Sequence, residues 1–71
     1  PNPTNGLLQI VLPEALFGNT LVLTNTTGQV IETRVVNGTL VDYDLRNLSN
    51  GIYFIQVETE NGIITKKIIK N

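Results

Sequence analysis

Apolar and polar positions alternate along most of this chain with a period of two. Leu8, Ile10 and Leu12 are interleaved with Gln9 and Val11, and Leu21 and Leu23 with Val22 and Thr24. Each such segment offers one apolar face, the signature of a half-buried β-strand. The runs between turn signals are rich in Val, Ile, Leu, Thr and Tyr and poor in Ala, Glu and Lys, and no apolar stripe of period 3.6 survives for two turns. Strands are therefore expected at about Leu7 to Leu12, Thr20 to Thr24, Gln29 to Val36, Thr39 to Asp44, Ile52 to Thr59 and Ile63 to Lys70.

The turns carry their own signals. Asn-Gly occurs at Asn5-Gly6, Asn37-Gly38, Asn50-Gly51 and Asn61-Gly62, and it is the dipeptide that best tolerates the positive φ angles of type I′ hairpin turns. Asn25-Thr26-Thr27-Gly28 predicts a four-residue turn with glycine at the left-handed position. The longer connection from Pro13 to Asn19 lets Leu16 or Phe17 fold back over the end of a core. From Leu48 onward the chain reads as a hairpin that finishes basic, with Lys66, Lys67 and Lys70. Its final strand has no clean parity: Ile63, Thr65, Lys67 and Ile69 share one face, and Ile64, Lys66, Ile68 and Lys70 the other. Either a bulge near Lys66 changes the parity, or this is an edge strand guarded by lysines.

Many short strands, regular turn signals and no helix predict a small antiparallel β-sandwich of about six to seven strands, immunoglobulin-like in the loose architectural sense. The apolar face of each strand needs a second sheet to cover it. The missing Cys and Trp exclude an antibody-type domain.

Length and charge narrow the picture. The 71 residues make one domain, 1–71, with room for a single thin core. Without cysteine there is no disulfide and no thiol chemistry. Five basic and six acidic residues leave a net charge of −1, which argues against bulk binding to nucleic acid. No stretch approaches the roughly 20 apolar residues of a membrane-spanning helix, and no signal peptide opens the chain. Pro1 is not a natural start, so the expectation is a monomeric module taken from a longer protein.

Candidate chemistry is sparse. With no His and no Cys, the usual general base, thiol nucleophile and imidazole ligand are missing, and neither an enzyme nor a cofactor, metal or small-molecule substrate is expected. Asp42 and Asp44 sit two apart on one strand and could in principle share a cation. The plainer reading is a solvated face with Tyr43 and Leu45 turned inward. Glu58 and Glu60 flank the last turn as solubilising residues. Asn25-Thr26-Thr27, Asn37-Gly38-Thr39 and Asn47-Leu48-Ser49 satisfy the glycosylation acceptor rule, which turn-rich sequences produce by chance. Tyr43, Tyr53, Phe17 and Phe54 are too scattered for a sugar platform, and Tyr53 is expected in the core with Ile55 and Val57, its hydroxyl finding a partner or the rim.

Three ordered stretches carry a resemblance. Pro1-Asn2-Pro3-Thr4-Asn5-Gly6 opens the chain, Asn25-Thr26-Thr27-Gly28-Gln29-Val30 lies in its middle, and Asp44-Leu45, Leu48, Gly51-Ile52-Tyr53, Ile55, Val57, Gly62 and Lys66-Lys67 mark its end. Together they resemble type A C-terminal sorting domains of the type IX secretion system of the Bacteroidetes, over essentially the whole chain; Arg46 departs from the pattern, standing where a small polar residue is usual. The resemblance implies an immunoglobulin-like sandwich. It also implies a passive signal that takes a cargo from the periplasm to the outer-membrane translocon. There a shuttle protein would engage it and a sortase-type protease would cleave upstream, leaving the cargo anchored at the cell surface or released. On that reading the recognition residues are Gly51, Tyr53, Lys66, Lys67, Ile69, Lys70 and Asn71, with Pro1, Asn2, Pro3 and Gly6 as the amino-terminal motif. The rival expectation is a non-catalytic fibronectin-like or carbohydrate-binding sandwich appended to a surface enzyme, which would need an exposed aromatic platform, as at Tyr43 or Phe54, or a cation site.

Overall fold

The structure, a computed structural model, describes residues 5–71; Pro1, Asn2 and Pro3 of the amino-terminal motif lie outside the described residues. Six strands form in the expected places. β1 (Leu7–Val11) pairs antiparallel with β4 (Leu40–Asp44) in a two-stranded sheet. β2 (Thr20–Asn25), β3 (Val30–Val35), β5 (Gly51–Thr59) and β6 (Gly62–Lys70) build a four-stranded antiparallel sheet in the order β3-β2-β5-β6. The only helical piece among the described residues is a 3-10 turn at Glu14–Leu16.

The period-two pattern becomes one core between the two sheets. Leu8 and Ile10 of β1 share it with Val41 and Tyr43 of β4. The other sheet contributes Leu21 and Leu23 of β2, Tyr53, Ile55 and Val57 of β5, and Ile68 of β6. Leu21 and Ile68 are wholly enclosed. Leu16 is the residue of the Pro13-to-Asn19 connection that plugs the end of the core, while Phe17 stays exposed. Thr24 is buried although it faces outward, because its register neighbours on that face are Phe54 and Val30.

The Asn-Gly dipeptides depart from expectation. Among the described residues no residue other than glycine has a positive φ, so none of the four forms a type I′ turn. Only Asn61-Gly62 lies at a hairpin, where Glu60 and Asn61 connect the paired residues Thr59 and Gly62. Here the Thr59 hydroxyl donates to the Gly62 carbonyl (2.8 Å) and accepts from the Asn61 N–H (3.1 Å). That local bonding takes the place of the left-handed pair. Asn37-Gly38 crosses from one sheet to the other, and Asn50-Gly51 enters β5 on the way back. Asn25 to Gly28 does make the predicted turn: Gly28 has φ +86°, and the Asn25 side-chain oxygen accepts from the N–H groups of Thr27 and Gln29 at 3.0 Å each.

Nor does a bulge break β6. Its register with β5 runs without a shift from Gly51 opposite Lys70 to Thr59 opposite Gly62; the one register shift lies between Leu23 and Thr24, against β3. The ambiguous parity of the last strand has a different cause. Ile64, Lys66, Ile68 and Lys70 do share the inner face, but only Ile68 and Lys70 are covered.

Two arginines lie at the margins of the sheets, and one of them ties the two sheets together. Arg34 of β3 donates to the Asp42 carbonyl of β4 (2.6 Å), and its guanidinium lies 4.4 Å from the centre of the Tyr43 ring. Burial raises the Tyr43 phenol above its ordinary pKa, with Arg34 opposing and Glu32 adding to the shift. Arg46 folds back on Asp44, donating from Nε and Nη2 at 2.9 Å each and from its backbone N–H at 3.1 Å. Gly6 packs beneath this corner: a Cβ there would come within 2.6 Å of Arg46 Cγ, and its φ of +128° is one that side chains rarely adopt.

Two outcomes follow from this architecture. Leu23→Ala should cost about 2–5 kcal/mol in a urea titration, whereas the exposed Val35→Ala should stay within about 0.5 kcal/mol. Hydrogen bonds from the Arg46 side chain and backbone lower the Asp44 pKa from 3.8 to about 2. A depressed carboxyl stabilises the fold above its unfolded pKa and loses that contribution as pH falls through the folded one. Asp44→Asn should therefore flatten the loss of stability between pH 3.8 and about 2, read from denaturant midpoints at stepped pH, and only slightly, because the pair is exposed.

Candidate functional site

The residues expected to carry recognition fall on the β5–β6 hairpin and the loop that enters it. The hairpin is longer than the cover it receives: the two-stranded sheet reaches Tyr53, Ile55, Val57 and Ile68 and leaves the hairpin tip bare. Ile63 and Ile64 are 63% and 53% exposed on opposite faces of β6, and Lys66 and Lys67 are exposed beside them. One strand therefore presents apolar surface on both sides, followed by two ammonium groups. Phe17 stands close by, on the rim of an open groove that Val22, Glu58, Ile63 and Ile64 also line.

The other expected residues differ in placement. Tyr53 is only 7% exposed, and its hydroxyl donates to the Ser49 carbonyl at 2.6 Å, the partner its burial required. Lys70 is 9% exposed, and its ammonium donates to the Leu48 carbonyl at 2.8 Å and to Asn50 Oδ1 at 3.3 Å. Gly51 lies half-buried opposite Lys70 in the ladder, Ile69 is half-buried, and Asn71 is exposed. The expected strip thus divides: Lys66, on the inner face beyond the reach of the covering sheet, and Lys67 and Asn71 are exposed to solvent, while Tyr53 and Lys70 reach into the loop between β4 and β5.

That loop holds its shape through backbone and side chain together. Leu45, 1% exposed, anchors its start, where its N–H donates to the Gly6 carbonyl at 2.6 Å, and the Leu48 N–H returns to the Leu45 carbonyl at 2.9 Å. Gly6 of the amino-terminal motif therefore touches the same loop as Lys70. Reading the residues in order missed this convergence. Its signal was the parity of β6: once Ile68 faces the core, Lys70 must face it too.

No other chemistry converges. Asp42 accepts from Gln9 at 3.0 Å, and Asp44 is bound to Arg46, so the two carboxylates serve separate neighbours on the solvated face, with Tyr43 and Leu45 inward as expected. Among the described residues no group of three or more His, Cys, Asp or Glu could hold a metal ion. Both tyrosines are buried and Phe54 is half-buried, so the aromatic platform that a glycan-binding module needs is not displayed at those positions. Among the described residues no helix is long and apolar enough to cross a membrane.

Comparison with the curated proteins finds no match. The family model for the secretion system C-terminal sorting domain matches residues 1–71, the whole chain. The all-β sandwich and the motifs at both ends thus meet in one assignment: the chain belongs to the family of secretion system C-terminal sorting domains, the non-catalytic sorting signals of type IX secretion.

Proposed function

We propose that this domain is the address by which a cargo protein is handed from the periplasm to the outer-membrane type IX translocon. A shuttle protein engages the folded sandwich, and a sortase-type protease then cleaves upstream, so that the cargo is anchored at the surface or released. The observation that supports this most is the overhanging tip of β5–β6. A hairpin held rigidly at its base by Tyr53, Ile55 and Ile68 carries an uncovered apolar and basic strip, Ile63 to Lys67, at its far end. A folded receptor can bind such a strip with little loss of conformational entropy, since the sandwich has already ordered it. The contact residues on this reading are Lys66, Lys67 and Asn71, with Ile63 and Ile64 added. Gly51, Tyr53, Ile69 and Lys70 support them, and Pro1, Asn2, Pro3 and Gly6 mark the junction with the cargo.

The test is a fusion of the 71 residues to the carboxyl end of a periplasmically targeted fluorescent protein in a host with a type IX system. Reporter should reach the medium or the cell surface, remain periplasmic in a translocon-deficient strain, and remain periplasmic when Lys66 to Asn71 are deleted; export of the deleted form would sink the proposal. Reversing the charge with Lys66→Glu and Lys67→Glu should lower export several-fold while moving stability by no more than about 0.5 kcal/mol per substitution.

A further inference from the structure

Lys70 is the least expected side chain in the molecule. It sits on the inner face of β6, two residues after the fully enclosed Ile68, and is itself 9% exposed. A cation so placed needs compensation, yet among the described residues it forms no ion pair. Two neutral oxygens of one loop accept its protons instead: the Leu48 carbonyl at 2.8 Å and Asn50 Oδ1 at 3.3 Å. The next carbonyl along, that of Ser49, accepts the Tyr53 hydroxyl at 2.6 Å. Successive carbonyls of an irregular loop are thus tied to the two strands of the hairpin, one from β6 and one from β5. The long methylene stem lets the ammonium reach past the core to the loop. Methionine would fill the same space with no donor.

We propose that Lys70 is a positioning residue of the sorting signal. It clamps the loop from Arg46 to Asn50 against the base of the hairpin and so holds in place the strand whose exposed Lys66, Lys67 and Asn71 meet the secretion machinery, and it does not itself contact that machinery. This rests on the sorting role proposed above. The three lysines of the last strand then have two functions, since Lys66 and Lys67 are exposed to solvent and Lys70 is buried and bonded to the loop. Tyr53 is the second half of the clamp.

The test uses the complete 71-residue chain, alone for amide hydrogen exchange and fused to the periplasmic reporter for export, at a temperature where circular dichroism finds every variant folded. The exchange probe is the Leu48 N–H, which is bonded to the Leu45 carbonyl inside the loop. Lys70→Met and Tyr53→Phe should each speed its exchange roughly tenfold or more, leave Leu21 and Leu23 protected, and lower export. Lys70→Arg, which keeps donors at the end of a long stem, should restore both the protection and the export. A protected loop with lost export in Lys70→Arg would overturn the proposal, because the lysine would then be read directly. Normal export from a loosened Lys70→Met loop would overturn it as well, as would an unchanged Leu48 rate in that variant. If Lys70→Met does not fold, Tyr53→Phe and Lys70→Arg carry the same comparison. A wild-type fusion that is never exported removes the sorting role and this proposal with it, and differs from the other failures in that every variant then behaves alike.

Discussion

The pairing of β2 with β5 is the constraint on which the molecule depends. These two central strands place Leu21 and Leu23 beside Val57 and Ile55 in register, and that apolar strip is what the β1–β4 sheet covers. In a domain of 71 residues without cysteine, no disulfide limits the unfolded chain and no second core shares the load. Burial along this one seam has to offset the conformational entropy of the whole sequence. The outer strands are fastened to it by narrower means: β3 through Arg34, β1 through the Gly6 corner, and β6 through Ile68 and Lys70.

Much of this was legible from the order of residues. Alternation located all six strands to within a residue or two of each end, and it placed Tyr43, Leu45, Tyr53, Ile55 and Val57 inside, because a period of two leaves no freedom once one face is apolar. The exposure of Asp42, Asp44, Glu58 and Glu60 followed from the same count. What alternation does not encode is partnership between sheets. Nothing local says that β1 lies beside β4, or that Asn37-Gly38 bridges two layers where a hairpin was expected. The type I′ assignment failed because Thr59 supplies hydrogen bonds that a short backbone turn would otherwise need. Lys70 was read as surface for its charge, although its parity with Ile68 pointed the other way; composition outweighed periodicity there, and periodicity was right.

The division among the lysines changes how the basic end of this sorting domain is understood. A cluster of like charge invites an electrostatic reading in which each ammonium adds to one field. Here one of three is withdrawn from solvent and bonded to neutral oxygens, so charge counts at this end overstate what a partner meets. The apolar residues next to the exposed pair, Ile63 and Ile64, give the surface a shape as well as a sign. The Asp42 and Asp44 carboxylates, by contrast, are occupied with Gln9 and Arg46.

The strand order also sets a schedule. β1 finds its partner only when β4 has been made, β2 is incomplete until β5 arrives, and Lys70 closes the loop between β4 and β5 from the last strand. Long-range pairings of this kind fold late and together, because loop closure must be completed before any contact rewards it. The address therefore has no half-written form. Before β6 is made the core lacks Ile68 and the β4–β5 loop lacks its bonds to Lys70, so a nascent chain does not yet carry the finished surface.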